Sequence, residues 1–400
     1  VLRRSLPIGS TAKEAIMKFQ VERDALADGV AWTAKGLPSR PSVPVLAGVM
    51  LRVTDGQLHL SGFDYQVSSE ASVPVHADAD GAALVSGRLL AEISKALPGK
   101  PVEVAAVDAH LELTCGSARF TLPTMPVEDY PKLPPLPDRA GTVDAATFGT
   151  AVGQVALAAG KDETLPMMTG VRIELNGSTL ALLATDRYRL ALREIEWQPG
   201  DPQLSANALV PARTLSDTAK ALGPLGGELM VALNTGGSGA GEGMIGFASG
   251  DRRTTSRLLD GANYPPVRNL FPASHVAHAR VAVSALTEVV RRVSLVAERS
   301  TPVRLSFNAD GVVVEAGGVE EARASEAAEA TYDGEETASL AFNPTYLLDG
   351  LGALDAPTAV FAFAEPGKRA VDPVVLLPGG EDGEIMPGYR YLIQPIRVVR

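Results

Sequence analysis

Residues 171–184 read VRIELNGSTLALLA. Apolar and polar residues alternate up to Asn176-Gly177 and resume beyond it. Alternation on both sides of a dipeptide that tolerates positive φ predicts a tight antiparallel hairpin. The pattern occurs twice more. VMLRVTDGQLHLSG at 49–62 turns at Asp55-Gly56, and VRLSFNADGVVVEA at 303–316 turns at Asp310-Gly311. The turn glycines Gly56, Gly177 and Gly311 stand 121 and 134 residues apart.

The same spacing governs the flanks. After each hairpin comes a short strand running into an amphipathic helix: ALVSGRLLAEISKALP (83–98), ALVPARTLSDTAKALG (208–223) and SLAFNPTYLLDGLGAL (339–354). Their apolar sets, Leu89/Leu90/Ile93/Leu97, Leu215/Ala219/Leu222 and Leu347/Leu351/Leu354, keep a three-to-four-residue step. These helices begin at Gly87, Pro211 and Asn343, 124 and 132 residues apart. A helix also precedes each hairpin, at 21–37, 144–160 and 283–299, with Asp144 and Ser284 as caps of the later two. The repeat far exceeds solenoid units of roughly 20–50 residues, so it is a domain. The chain is read as α+β, in three tandem copies of two helices and about eight strands. The boundaries are 1–16 (an N-terminal extension), 17–137, 138–274 and 275–400. Linkers fall at 131–142, which contains KLPPLPDRAG, and at 271–279, which contains PASHVAH, and GGSGAGEG at 236–243 reads as a flexible hairpin loop.

Composition limits the function. Of 400 residues, 46% are hydrophobic and only 5% aromatic, so the core is Val, Leu and Ala. No apolar stretch reaches the ~20 residues of a membrane span, and no signal-peptide core is visible, so a cytoplasmic protein is expected. The single cysteine, Cys115, excludes an intramolecular disulfide and reads as a buried thiol. The net charge of −11 opposes nucleic-acid binding unless basic residues are gathered on one face. His275 and His278 form HVAH in a linker and lack the acid of a zinc helix; no metal and no cofactor is expected. The acidic run 379–384 reads as a solvated loop. No nucleophile–base set, phosphate loop or dinucleotide fingerprint occurs, which leaves a three-domain enzyme as a remote alternative to a binding protein.

Specific words settle the direction. RPSVPVLAGV (40–49), CGSARFTLPTMPVEDYP (115–131), LPMMTGV (165–171), ATDRYRLALRE (184–194), LLDGANYP (258–265) and YLIQPIRVVR (391–400) stand in this order. Together they resemble the beta subunit of bacterial DNA polymerase III, the replicative sliding clamp, in the form found in high-GC Gram-positive bacteria. The resemblance runs from about Met17 to the end. It implies a head-to-tail homodimer, a six-domain ring lined by helices, with duplex DNA held without sequence preference. It also implies a non-catalytic processivity factor whose partners are the polymerase alpha subunit, the clamp loader and other proteins bearing a clamp-binding peptide.

The helices fit a mildly basic lining. Residues 87–100 carry Arg88, Lys95 and Lys100 against Glu92, a net +2. Residues 211–222 carry Arg213 and Lys220 against Asp217, a net +1, and 283–299 carry Arg291, Arg292 and Arg299 against two glutamates, again +1. Arg40 matches a DNA-contacting arginine of the family. Phe120 matches an aromatic of the ring interface, to which Leu295 and Val296 are also assigned; the alternative for those two is ordinary core.

By motif match the partner-peptide pocket comprises Met168, Thr185, Arg187, Tyr188, Arg189, Leu190, Pro265, Asn269 and Leu270. The tail adds Leu392, Ile393, Gln394, Pro395, Ile396, Arg397 and Val398. For Leu190 the alternative is core. The family tail usually reads Met-Pro-x-Arg-Leu; here Gln394 replaces the Met, Val398 the Leu, and Asn269 stands where Arg is common. Two readings stay open, an ordinary replicative clamp and a specialised second clamp. In the latter, the altered pocket gives insensitivity to an inhibitor, a form of antibiotic self-resistance.

Overall fold

The computed structural model describes residues 15–38, 41–236, 243–297, 301–317, 322–365 and 372–397. Six helices occur among them: α1 (Arg23–Ala34), α2 (Gly87–Ala96), α3 (Ala145–Ala156), α4 (Ala212–Leu222), α5 (Val283–Val293) and α6 (Pro344–Ala353). They alternate with 27 strands, nine per repeat rather than the eight expected. The chain divides into two compact units, Val1–Pro137 with Gly246–Ser256, and Asp138–Ile245 with Arg257–Arg400.

All three hairpins form, each with its own turn chemistry. Asp55 and Gly56 both take positive φ (51° and 72°) between paired Thr54 and Gln57, as a type I′ turn requires. In the second hairpin Asn176 pairs with Thr179, so the loop is Gly177-Ser178 and not Asn176-Gly177. Gly177 supplies positive φ at the first loop position, the type II′ arrangement. In the third, Asn308 pairs with Gly311 across Ala309-Asp310, and the Asn308 side chain accepts from the Asp310 amide at 2.9 Å.

The caps divide similarly. Asp144 accepts from the Thr147 amide and hydroxyl, both at 2.7 Å, and so caps α3. Ser284 caps nothing. The residue before α5 is Ala282, and the Val283 amide is met by the Pro357 carbonyl at 2.9 Å. The Thr147 hydrogen bonds hold the Asp144 carboxyl below the usual carboxylate range. That contribution is complete above the usual range and is lost as pH falls through the lowered value. A drop in the protection factor of the Thr147 amide is therefore expected as pH falls through that acidic window; equal protection across it would contradict the cap's role.

In the first unit α1 and α2 lie together, and strand Val67–Pro74 pairs with Gln57–Phe63 on one side and Arg252–Arg257 on the other. Cys115 is fully buried, its thiol directed at the Pro98 and Lys100 carbonyls. Leu89 departs from expectation. It is exposed, because α2 buries the Leu90, Ile93 and Ser94 face.

The second unit is built on a nine-stranded antiparallel sheet. Its order is Ser205–Pro211, Gly170–Asn176, Thr179–Thr185, Arg189–Glu196, Tyr389–Ile393, Val374–Gly379, Thr358–Phe363, Ala277–Ala282 and Ala330–Tyr332. The last described strand thus lies at its centre, with Arg189 opposite Ile393 and Arg193 opposite Tyr389. It joins strands of the second repeat to strands of the third. A separate four-stranded sheet ends on Ala324–Ala328. Among the described residues no helix is long and apolar enough to cross a membrane.

Candidate functional site

The word ATDRYRLA folds as a tight turn between Thr179–Thr185 and Arg189–Glu196. The Asp186 carboxylate accepts from the amides of Tyr188 and Arg189 at 3.0 and 3.1 Å. The Thr185 hydroxyl donates to the Arg189 carbonyl at 2.6 Å and accepts from the Arg187 amide at 3.1 Å. Arg187 takes positive φ, 79°. This geometry turns Tyr188 out to solvent and drives Arg189 inward.

Arg189 is 5% exposed. Its Nε donates to Asp186 at 3.0 Å, and its Nη1 donates to Asp349 at 2.5 Å and to the Tyr391 hydroxyl at 3.5 Å. The guanidinium lies 4.3 Å from the Tyr346 ring centre. Charge pairing and ring stacking together fit a planar fork and not an ammonium. Burial pushes the Tyr391 hydroxyl well above its usual pKa, and it donates to the Tyr346 carbonyl at 2.8 Å. Tyr346 and Asp349, three residues apart on α6, were not found from the sequence. That i,i+3 spacing was the available signal.

The chain beyond Ile393 is held by main-chain bonds. The Gln394 amide donates to the Tyr188 carbonyl at 2.9 Å, and the Ile396 amide to the Ala341 carbonyl at 2.7 Å. The Tyr188 and Tyr346 rings stack 6.4 Å apart. Leu190 and Leu392 lie in one apolar cluster with Leu209, Tyr264, Val267 and Leu377, so Leu190 is core as well as a pocket candidate. Burial pushes the Tyr264 hydroxyl up to about 12. Met167, the neighbour of the expected Met168, packs against this cluster.

The remaining pocket candidates divide by exposure. Thr185, Ile393 and Pro395 are buried; Met168, Pro265 and Gln394 are partly so. Arg187, Tyr188, Asn269, Leu270, Ile396 and Arg397 are exposed. Val398 and Arg40 lie outside the described residues, as do 237–242 and Arg299.

Arg88, Lys95, Arg213, Lys220 and Arg291 all stand exposed on their helices. Arg88 pairs with Glu92 at 3.0 Å, a surface contact of small energy. Arg213 and Arg189 line one cavity of about 730 Å³ with Lys161 and Asp349. Arg291 lines another, of about 600 Å³, with Thr287 and Glu288. Arg292 is committed elsewhere, bridging Glu326 at 2.7 Å and Glu288 at 3.2 Å. Hydrogen bonds from Arg292 hold the Glu326 carboxyl below its usual range. Phe120 is exposed, and Leu295, on the turn Ser294–Val296 after α5, is 84% exposed. Leu295 is therefore not core. Among the described residues no group of three or more His, Cys, Asp or Glu side chains is placed to hold a metal ion.

Three tandem repeats of two helices on antiparallel strands define the DNA-clamp class. Models of the DNA polymerase III beta subunit match in succession: the N-terminal domain over 17–134, the central domain over 142–266 and the C-terminal domain over 268–377. The chain belongs to this family, the bacterial DNA sliding clamps. It is 51% identical over 384 residues to the beta sliding clamp of Streptomyces coelicolor, covering 96% of this chain and 100% of that one. With the beta sliding clamp homolog GriR of Streptomyces muensis it shares 41% identity over 384 residues, at the same coverage. The crystal structure of the DNA polymerase sliding clamp from Bacillus subtilis superposes with a TM-score of 0.86 at 26% identity, over 96% of this chain and 100% of that chain. The clamp function implied by the sequence words is borne out.

Proposed function

We propose that two chains close head to tail into a six-domain ring around duplex DNA in the cytoplasm and act without catalysis as a processivity factor. The observation that carries this is the run of three clamp domains per chain, which requires a second chain to close six. A closed two-chain ring uses different surfaces of each chain. Phe120 on one chain and Leu295 and Val296 on the other supply apolar contacts, and the exposure of Phe120 and Leu295 supports that role. The domains are taken as 17–137, 138–274 and 275–400. Light scattering at micromolar concentration is expected to give twice the chain mass of 41.7 kDa. A monomer there overturns the reading.

Arg40, Arg88, Lys95, Arg213, Lys220 and Arg291 contact phosphates. Arg292 contributes less, because two carboxylates already meet its charge. Replacing Arg40, Arg88 and Arg213 together by Ala is expected to flatten the salt dependence of DNA binding by about 0.9 per lost phosphate contact. An unchanged slope removes these residues from the footprint.

The turn at Tyr188, the linker at Pro265–Leu270 and the tail at Leu392–Val398 receive a short peptide with two apolar anchors. That peptide is carried by the polymerase alpha subunit, the clamp loader and other enzymes. A second reading rests on Gln394 standing in the usual Met position: a specialised clamp whose pocket resists an apolar inhibitor. The higher identity to the Streptomyces coelicolor clamp, 51% against 41% to GriR, supports the ordinary clamp first.

A further inference from the structure

One wall of this pocket is tied down by charge. The linker turn Val267–Leu270 carries Asn269 and Leu270 outward and Arg268 back over the sheet. Arg268 Nε donates to Glu174 at 2.7 Å, and its Nη1 donates to Glu194 at 2.9 Å. These glutamates lie on strands that are not neighbours. Each is in register with Ala181 on the strand between them. Ala181 is only 2% exposed. A methyl group at the centre of a Glu–Ala–Glu row leaves room for a guanidinium to span both carboxylates.

Two more arginines join it from the neighbouring cross-strand row, in which Arg172, Leu183, Leu192 and Arg390 stand in register. Arg172 donates to Glu174 at 2.9 Å, and its guanidinium sits 5.4 Å from the Tyr264 ring centre. Arg390 donates to Glu194 at 3.4 Å and sits 5.0 Å from the Phe271 ring. Tyr264 and Phe271 flank the linker turn. Three arginines and two glutamates therefore fix the turn at its middle and both ends, and through Arg390 reach the strand that leads into the tail. A guanidinium that bridges two carboxylates, each shared with a further arginine, gives geometric definition beyond a single surface pair.

We infer that Arg268 is a positioning residue of the partner-peptide pocket: it pre-sets the linker wall, so that binding an uncharged peptide depends on a salt-sensitive network the peptide never touches. This rests on the pocket reading above. Pre-setting a wall removes an ordering cost from binding. Isolated surface pairs would give little, but here five charged groups act as a network.

The test uses full-length protein and a capped, uncharged pentapeptide with leucine and phenylalanine anchors, titrated calorimetrically at low and high salt. Arg268→Gln is expected to weaken binding about tenfold and to flatten its salt dependence. Glu174→Gln with Glu194→Gln is expected to lose about as much, and all three changes together no more than either. Arg268→Lys, a point donor unable to span both carboxylates, is expected to recover only part. Unchanged affinity in Arg268→Gln, full recovery by Lys, or losses that multiply in the triple variant overturn the role of Arg268 while leaving the pocket reading intact. Failure of the unaltered protein to bind the peptide overturns the pocket reading and this inference with it.

Discussion

Arg189→Leu is expected to destabilise the second unit by about 3 kcal/mol, the lower end of the range for removing one partner of a buried ion pair. The guanidinium joins Asp186, Asp349, Tyr391 and Tyr346 in one cluster. Leucine leaves Asp186, whose side chain is 13% exposed, without its counter-charge and with only two backbone amides to meet it. Asp349 is 38% exposed and rehydrates, which is why the upper end is not expected. Arg189→Lys keeps the charge but neither the fork nor the flat stacking face, and should recover about half. Urea unfolding followed by hydrogen exchange within the nine-stranded sheet measures both. A loss below about 1 kcal/mol for leucine would show that the cluster carries little energy.

Gln394→Met is expected to strengthen an apolar pocket ligand by about five- to a hundredfold. The Gln394 amide N–H already holds the tail to the Tyr188 carbonyl, so the backbone there stays in place whatever the side chain. The change is then confined to the partly buried side chain. An apolar anchor laid over glutamine covers a carboxamide, and a polar group that loses a hydrogen-bond partner on being covered costs on the order of 1–3 kcal/mol. Methionine of similar length adapts to the anchor instead. A polymerase-derived peptide can meet the carboxamide through a polar residue or a bridging water, so it should gain less. Paired titrations of variant and parent with both ligands decide the matter. Equal gains, or none, mean that the side chain avoids the slot, and the specialised-clamp reading falls.

The sequence made the repeat visible because each hairpin is a local event, set by alternation and a glycine within a few residues. It was less reliable where a distant group does a local residue's work. Ser284 looks like a cap, but it lies inside α5, where Ala282 holds the cap position and the Pro357 carbonyl meets the first helical amide. Leu89 fits the apolar spacing of α2, yet Ser94 takes a buried place on that face and Leu89 faces water. Glycine position within a turn also escaped it: alternation locates Gly177 but not whether it stands first or second in the loop, which the cross-strand register decides. The words ATDRYRLA and YLIQPIR pointed to the right neighbourhood. They could not show Arg189 reaching Asp349 and Tyr391, which are 160 and 202 residues away. The Arg268 bridge was equally hidden, since it depends on Ala181 standing between two glutamates on different strands.

The strand Tyr389–Ile393 has a consequence for synthesis. A ribosome delivers it after every other strand of the nine-stranded sheet, yet its place is in the middle. Until it arrives, Arg189–Glu196 and Val374–Gly379 each present a row of unpaired amides and carbonyls to the surroundings. Pairing across nearly 200 residues of separation is intrinsically slow. The nascent chain must therefore wait with its sheet open in two halves, vulnerable to sticking to its neighbours, and seals only as this strand slides into the gap.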